Sequence, residues 1–509
     1  MSLTVALLIA TVVVLVAILA VRATTRFGLP SLLLYLALGV LLGTSGIGID
    51  WGDADLAKEL GTIALVIILA EGGLTTRWRE VAPHLGLGLA LSTIAVAVSV
   101  LVMAAFMVGV LGMHWQVAVV AGAIISSTDA AAVFSVLRRL GLPPKVTSAL
   151  ELESGLNDAP VILLVTFLSV PLADIQPWWE IALLIGYELI AGLGIGLVTG
   201  FAGAALMRRG ALPSAGLYSL MAIAMLLLSY ELSTLAHASG FLGVYVAGVV
   251  LGNANLPFKR AVIGFAEALA WLSQIGLFVM LGLLVFPEQI PQVVLPALLI
   301  GVVLLFLARP LSVAAASIGQ RVNLREQVFF SWAGLRGAVP IVLATIPISN
   351  GLEGGWQILH MVFVLVVVFT LAQGTTLPAM ARRLGLTGKA QTRDLEVEVA
   401  VLDEMAADLM TVAVPEGSRL SGVYIGDLRL PSVSAVSLVI RGDERFVPDA
   451  GTLIRTGDQL LVVTPSDQRE ATERRLRAVA RSGRLAGWFG DDGTDLPPGR
   501  PREKPGRGH

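Results

Sequence analysis

The stretch Ser148–Val165, SALELESGLNDAPVILLV, carries Glu151, Glu153, Asn157 and Asp158 and then turns wholly apolar. On a helix, Ser154 and Asp158 share one face, and Glu153 and Asn157 the neighbouring stripe. A polar helix start at the lipid headgroups would account for Glu151 and reach Glu153. Asp158 lies deeper, beside Pro160. If this run spans a membrane, Asp158 is an expensive residue, because a charge at the bilayer centre costs about 2.5–3.5 kcal/mol on insertion scales. The rest of the chain decides whether it does.

Of the 509 residues, 56% are hydrophobic and 14% are charged, against roughly 25% charged in soluble domains. Apolar runs of about 20 residues, the length that crosses a bilayer, recur along the first three quarters of the chain. Thirteen such spans are predicted, near 3–21, 30–48, 59–76, 84–111, 116–137, 147–170, 180–206, 213–236, 241–252, 263–286, 292–318, 327–347 and 356–381. The first lacks a basic start and is long enough to span, so it is read as a transmembrane segment and not as a cleaved leader. Alternate loops carry the basic residues: Arg22 and Arg26, Arg77 and Arg79, Arg138 with Arg139 and Lys145, and Arg208 with Arg209. The series continues through Lys259, Arg260, Arg321, Arg325, Arg382, Arg383 and Lys389. The intervening loops hold Lys58 and acidic or aromatic residues such as Asp50, Asp174, Trp178 and Glu353. By the positive-inside rule the N-terminus is outside and the C-terminus cytoplasmic. A miscounted helix would scramble that alternation from the error onward.

Two other spans carry polar groups in their middles. The fifth contains AGAIISSTDAAAVF, with Ser126, Ser127, Thr128 and Asp129 in a row. Such side chains compete for backbone hydrogen bonds, and an unwound stretch there would offer carbonyls to a cation, as in discontinuous transporter helices. A packing seam with interhelical hydroxyl bonds is the plainer alternative. The twelfth contains SWAGLRGAVPIVLATIP, where Arg336 stands between Gly334 and Gly337 with Pro340 behind. A buried arginine needs a carboxylate or several carbonyls, and Glu153 is the nearest candidate by character. The fifth and twelfth spans are seven apart, so they run in opposite directions, as inverted repeats require. Glu71, Glu231, Glu267 and Arg309 read as packing or helix-end residues, and His237 is given no role.

With no cysteine, disulfides and thiolate chemistry are excluded. The five histidines form no metal-binding pair, and nothing points to a cofactor or to nucleic acid. After Lys389 the texture changes. Three β-like runs, Leu409–Gly417, Ala435–Asp443 and Asp458–Pro465, precede a charged helical stretch, Ser466–Ala480. The division is therefore 1–385 for the transmembrane domain, 395–480 for a small cytosolic α/β domain, and 481–509 for a disordered tail rich in Gly, Pro and Arg.

The motifs SSTDAAAVFSVLRR, ELESGLNDAP, GFLGVYVAGVVLGN and WAGLRGAVPI occur in that order across 1–385. In them the chain resembles the monovalent cation/proton antiporter-1 family, the NhaP/NHE group. The resemblance implies a bundle of about thirteen helices in inverted repeats. It also implies that Asp158 binds the cation and the proton alternately, with Asn157, Ser154, Thr128 and Asp129 beside it. Glu153 and Arg336 would form a structural ion pair. Exchange would be electroneutral and the protein a homodimer in a bacterial inner membrane. Residues 395–475 resemble the TrkA-C subdomain of RCK proteins, which implies a site for a small regulatory ligand. No glycine-rich nucleotide fingerprint precedes them. Pairing these two modules is similar to bacterial potassium/proton antiporters, which favours potassium over sodium. A ligand-gated cation channel is the less favoured class, because no selectivity-filter segment is present. An intramembrane enzyme would need a triad or metal set, and neither is evident.

Overall fold

The computed structural model describes residues 4, 8–9, 11–19, 31–44, 46–49, 53–128, 142–386, 397–402, 407–415, 417–431, 433–442, 444–465 and 468–486. They fall into two compact units, divided after Thr387. In the first, helical residues occupy every one of the thirteen predicted runs. They are α1 (11–19), α2 (Ser31–Leu42), α3 (Ala54–Thr75), α4 (Trp78–Gly109), α5 (Trp115–Ser126), α6 (Pro144–Leu156) and α7 (Asp158–Leu168). There follow α8 (Trp178–Arg209), α9 (Ala215–Leu235), α10 (Gly240–Asn253), α11 (Lys259–Leu283), α12 (Pro287–Ala316), α13 (Leu324–Ala333), α14 (Ala338–Ser349) and α15 (Gly355–Arg383). Helices α6 and α7 share one run, and α13 and α14 share another. Among the described residues six helices, α4, α8, α9, α11, α12 and α15, are each long and apolar enough to cross a membrane.

Local chemistry sets the helix ends. Asp53 caps α3 by accepting from the Leu56 amide. Asn323 and Glu326 form a reciprocal capping box at α13, satisfying donors that a helix start leaves free. Lys145, at the start of α6, pairs with Glu326 at 2.7 Å and so ties the starts of α6 and α13 together.

Lipid tails are as apolar as leucine, so helices in a membrane associate through close packing. Helix α8 carries Gly192, Gly196 and Gly200 at every fourth position, turned toward α10. A Cβ on Gly196 would stand 2.6 Å from the Gly243 carbonyl oxygen, and one on Gly192 would stand 2.6 Å from that of Ser239. Leu183, Ile190, Val198 and Phe201 on the same helix face outward. Helix α10 also packs on α3. Its last residue, Asn253, donates to the Thr76 carbonyl at 2.8 Å and accepts from the Trp78 amide at 2.9 Å. Helices α3, α8 and α10 are thereby joined into one block.

The second unit is a five-stranded antiparallel sheet, β1 (Val397–Leu402), β2 (Ala407–Ala413), β3 (Ala435–Arg441), β4 (Glu444–Phe446) and β5 (Gln459–Pro465), in the order β1-β2-β5-β3-β4. Helix α16 (Arg469–Ser482) follows, with Leu476 and Val479 in the core beside Met410, Val439 and Leu460. The three β-like runs correspond to β2, β3 and β5. Strands β1 and β4 add the two edges, and residues 487–509 of the tail lie outside the described residues. Asp458, wholly buried, takes two 2.8 Å bonds from the Arg441 guanidinium and a third from the Arg455 amide. Burial alone would push its carboxyl up. The Arg441 and Arg455 bonds and charges overcome that and hold it below the ordinary aspartate range.

Two outcomes follow for stability. Gly196→Val forces α8 off α10 and lowers the thermal midpoint in detergent by the equivalent of about 1–3 kcal/mol. Gly264→Ala in α11, where a Cβ meets nothing within 4 Å, is neutral or stabilising by up to about 1 kcal/mol. In the second unit the depressed Asp458 carboxyl contributes stability that is full above the unfolded aspartate pKa and fades as pH falls through the folded one. Asp458→Asn removes that acid-side dependence and costs about 2 kcal/mol at neutral pH, read from hydrogen exchange in β3 and β5 of the intact protein.

Candidate ion-binding site

Helix α5 stops at Ser126. Ser127 is extended (φ −62°, ψ 141°), and Thr128 continues outside the helix. Of the polar run at 126–129, Ser126 is still helical, Ser127 and Thr128 are unwound, and Asp129 lies outside the described residues. Ser126 turns its hydroxyl back to the Gly122 carbonyl at 2.6 Å and to Ser99 of α4 at 2.9 Å, anchoring the broken end. The twelfth run breaks likewise. Helix α13 ends at Ala333, residues 334–337 are non-helical, and α14 starts at Ala338. Helix α14 packs on α5, and both pack on α7, whose first residue is Asp158.

Asp158 is 2% exposed, and its Oδ1 accepts from the Ser127 hydroxyl at 2.8 Å. Its place in the first turn of α7 gives it the positive end of that helix dipole, which favours an anion. Asn157, at the bend between α6 and α7, donates through Nδ2 to the Thr128 hydroxyl at 2.6 Å. Thr128 in turn lies 3.3 Å from the Ser154 hydroxyl. Asn157 Oδ1 has no hydrogen-bond partner among the described residues. Ser127, Thr128, Ser154, Asn157 and Asp158 are all buried. The bend lets residues from both stripes of α6 converge on the extended strand of α5. Of the residues singled out from sequence, the structure thus unites Asp158, Asn157, Ser154 and Thr128. Ser127 joins them, and it was legible only as part of a polar run.

The ion pair differs from the expected one. Glu153, 1% exposed, bonds through Oε1 to Arg309 Nη1 at 2.7 Å, not to Arg336. Arg309 also donates to the Phe330 carbonyl at 2.9 Å. Two local features bring it there. Proline at 310 cannot donate an amide bond, and the helix before it widens into a π-turn over Leu304–Ala308, closed by the Arg309 amide on the Leu304 carbonyl. Gly334 leaves room for the guanidinium, since a Cβ there would lie 2.8 Å from Nη2. Arg336, 2% exposed, sits near enough to interact electrostatically with Glu153 and Arg309, but its guanidinium makes no hydrogen bond among the described residues. One buried carboxylate therefore stands among two buried guanidinium groups. Arg309 had read as a packing residue. Its signal was an arginine followed by proline inside an apolar run.

Among the described residues no group of three or more His, Asp or Glu could hold a resident metal. The arrangement is an oxygen-rich pocket around one carboxylate, suited to a proton or a weakly bound cation.

Known proteins resemble the chain over nearly its whole length. A potassium/proton antiporter, NhaP, of Alkalimonas amylolytica is 35% identical over 492 residues, covering 94% of this chain and 85% of that protein. The potassium/proton antiporter NhaP2 of Shewanella oneidensis is 30% identical over 476 residues, 92% of this chain and 82% of that one. The sodium/proton antiporter ApNhaP of Aphanothece halophytica is 27% identical over 414 residues, 75% of this chain and 77% of that one. In fold, the sodium proton antiporter MjNhaP1 of Methanocaldococcus jannaschii superposes with a TM-score of 0.67 at 22% identity, covering 76% of this chain and all of that one. The TrkA-C domain matches residues 409–477. With the sodium/hydrogen exchanger transmembrane family matching residues 10–383, the chain belongs to the sodium/hydrogen exchangers, a family of multi-pass membrane antiporters.

Proposed function

We propose that this antiporter exchanges potassium for protons one for one across a bacterial inner membrane, with Asp158 carrying either ion in turn. The observation that carries this reading is a buried carboxylate that begins a helix packed against both interrupted helices. In a low-dielectric site the charged form of a carboxylate is disfavoured unless a proton or cation neutralises it. Either ion relieves that cost, so the two compete for Asp158, and only the neutralised site crosses readily. Competition for one charge is enough to couple opposite fluxes.

Ser127 orients the carboxylate. Asn157, Ser154, Thr128 and Asp129 complete the cation shell, with Asn157 Oδ1 an oxygen ready to accept the ion. The Glu153–Arg309 pair, with Arg336 beside it, is scaffold. Residues 1–385 carry exchange, and 395–480 form a regulatory module that takes a small ligand. The protein works as a homodimer with its N-terminus outside, an orientation supported by the alternation of basic loops. Potassium is supported by the relatives of 30–35% identity, named as potassium/proton antiporters. Sodium is the second reading, supported by the ApNhaP relative.

In proteoliposomes holding a pH gradient, added potassium dissipates the gradient faster than sodium does. A response to sodium alone overturns the potassium assignment, and a response to neither overturns exchange. Asp158→Asn reduces flux to that of protein-free liposomes while the thermal midpoint stays near wild type. Arg309→Ala strips the Glu153 carboxylate of its direct partner and costs about 3–5 kcal/mol of stability. Arg336→Ala, which removes no hydrogen bond from its side chain, costs less. Equal or reversed thermal shifts in detergent would count against Arg309 as the principal partner.

A further inference from the structure

Tyr245 lies outside the ion-binding set, yet its ring rests on the helix that carries it. A Cβ on Gly155 would stand 2.7 Å from Tyr245 Cε2 and 3.0 Å from its hydroxyl oxygen. Any residue but glycine at 155 would displace the ring. Gly155 adjoins Ser154 and lies three residues before Asp158. Since α6 starts at the basic, cytoplasmic end of its run, the ring lies against α6 three residues to that side of Asp158 along the chain. Tyr245 is 4% exposed.

Its attachments belong to the other block. Tyr245 is part of α10, which is packed on α3 and α8 through glycine contacts. Its hydroxyl lies 3.4 Å from the Thr76 hydroxyl, at the end of α3. Thr76 is itself held, its side chain on the Gly72 carbonyl at 2.7 Å and its carbonyl by Asn253. The ring thus belongs to the α3–α8–α10 block, while the surface beneath it belongs to the site helix. A flat ring against a bare glycine backbone is held there by dispersion, and its long hydrogen bond to Thr76 stays within its own block, so little at this contact needs to break for the two to separate. Moving one bundle against another around a fixed site is how inverted-repeat transporters alternate access.

We propose that Tyr245 is the cytoplasmic plug of the ion site, seated on Gly155 when that side is closed and withdrawn with the α3–α8–α10 block when it opens. It is a positioning residue and ligates nothing. This assignment rests on the orientation given above for which face it closes, but not on which cation is carried.

The chain has no cysteine, so one introduced by Ser154→Cys reports access to the site without a background. Its reaction with a membrane-impermeant thiol reagent is timed separately in inside-out and right-side-out vesicles. Adding Tyr245→Ala accelerates labelling from the cytoplasmic face about tenfold, equivalent to ~1.4 kcal/mol of closing free energy. The outer-face rate is unchanged. Adding Tyr245→Phe, which keeps the ring, leaves both rates close to those of the Ser154→Cys protein. Acceleration from both faces means a loosened fold and overturns the plug, as does no acceleration from either. Acceleration from the outer face alone upholds the plug and overturns the orientation. Labelling does not need transport, so the result stands apart from any failure of the exchange reading.

Discussion

A carboxylate in hydrocarbon must be neutralised or surrounded by dipoles, and a backbone there must satisfy its own hydrogen bonds. Both requirements act at Asp158. Two helices are broken beside it, and broken helices are tolerated at that depth only where protein covers them. The buried hydroxyls of Ser126, Ser127 and Thr128 supply the cover on one side. Ser126 anchors the end of α5, and Ser127 and Thr128 turn it from a defect into a set of oxygen atoms aimed at α6 and α7. The start of α7 adds its dipole to the same point. The site is thus a consequence of where the helices stop, and the polar side chains both stop them and line the result.

The Glu153–Arg309 pair extends the same logic away from the ion. Glu153 lies on α6, Arg309 on α12, and the Phe330 carbonyl on α13, so one guanidinium joins three helices. Removing a charge from such a group leaves an uncompensated one behind, which is why buried pairs are costly to break even where their net stabilisation is small. Arg336 adds a second positive charge whose guanidinium makes no hydrogen bond among the described residues.

Much of this was written in the sequence because lipid imposes simple rules. Runs of about 20 apolar residues and alternating basic loops were enough to count helices, and the helical segments fall in every predicted run. Asp158, Asn157, Ser154 and Thr128 were recognisable as expensive or helix-weakening residues. The partner of Glu153 was not. Choosing between Arg309 and Arg336 depends on a π-turn before Pro310 and on the missing side chain at Gly334, neither of which has a period or a hydropathy to read. Ser127 was hidden differently, since nothing in a run of three hydroxyl residues says which one reaches the carboxylate. In the second unit, β4 is three residues long, and β1 is six residues long, with Glu398 its one charged residue, inside a charged stretch. Both gain their identity from the strand beside them.

The glycines divide the molecule into parts that are fixed and parts that need not be. At Gly192 and Gly196 an added Cβ would meet backbone carbonyl oxygens, rigid groups on both sides, so α8 and α10 are locked in register. At Gly155 the opposing atoms are the end of a tyrosine side chain, which can rotate or withdraw as a whole. The same residue type therefore serves opposite ends. Backbone on backbone makes a block, and backbone on an aromatic ring makes a seam. An exchanger that alternates access needs both, because a bound ion is released on the far side only if one rigid body can part from another along a surface where the two merely touch.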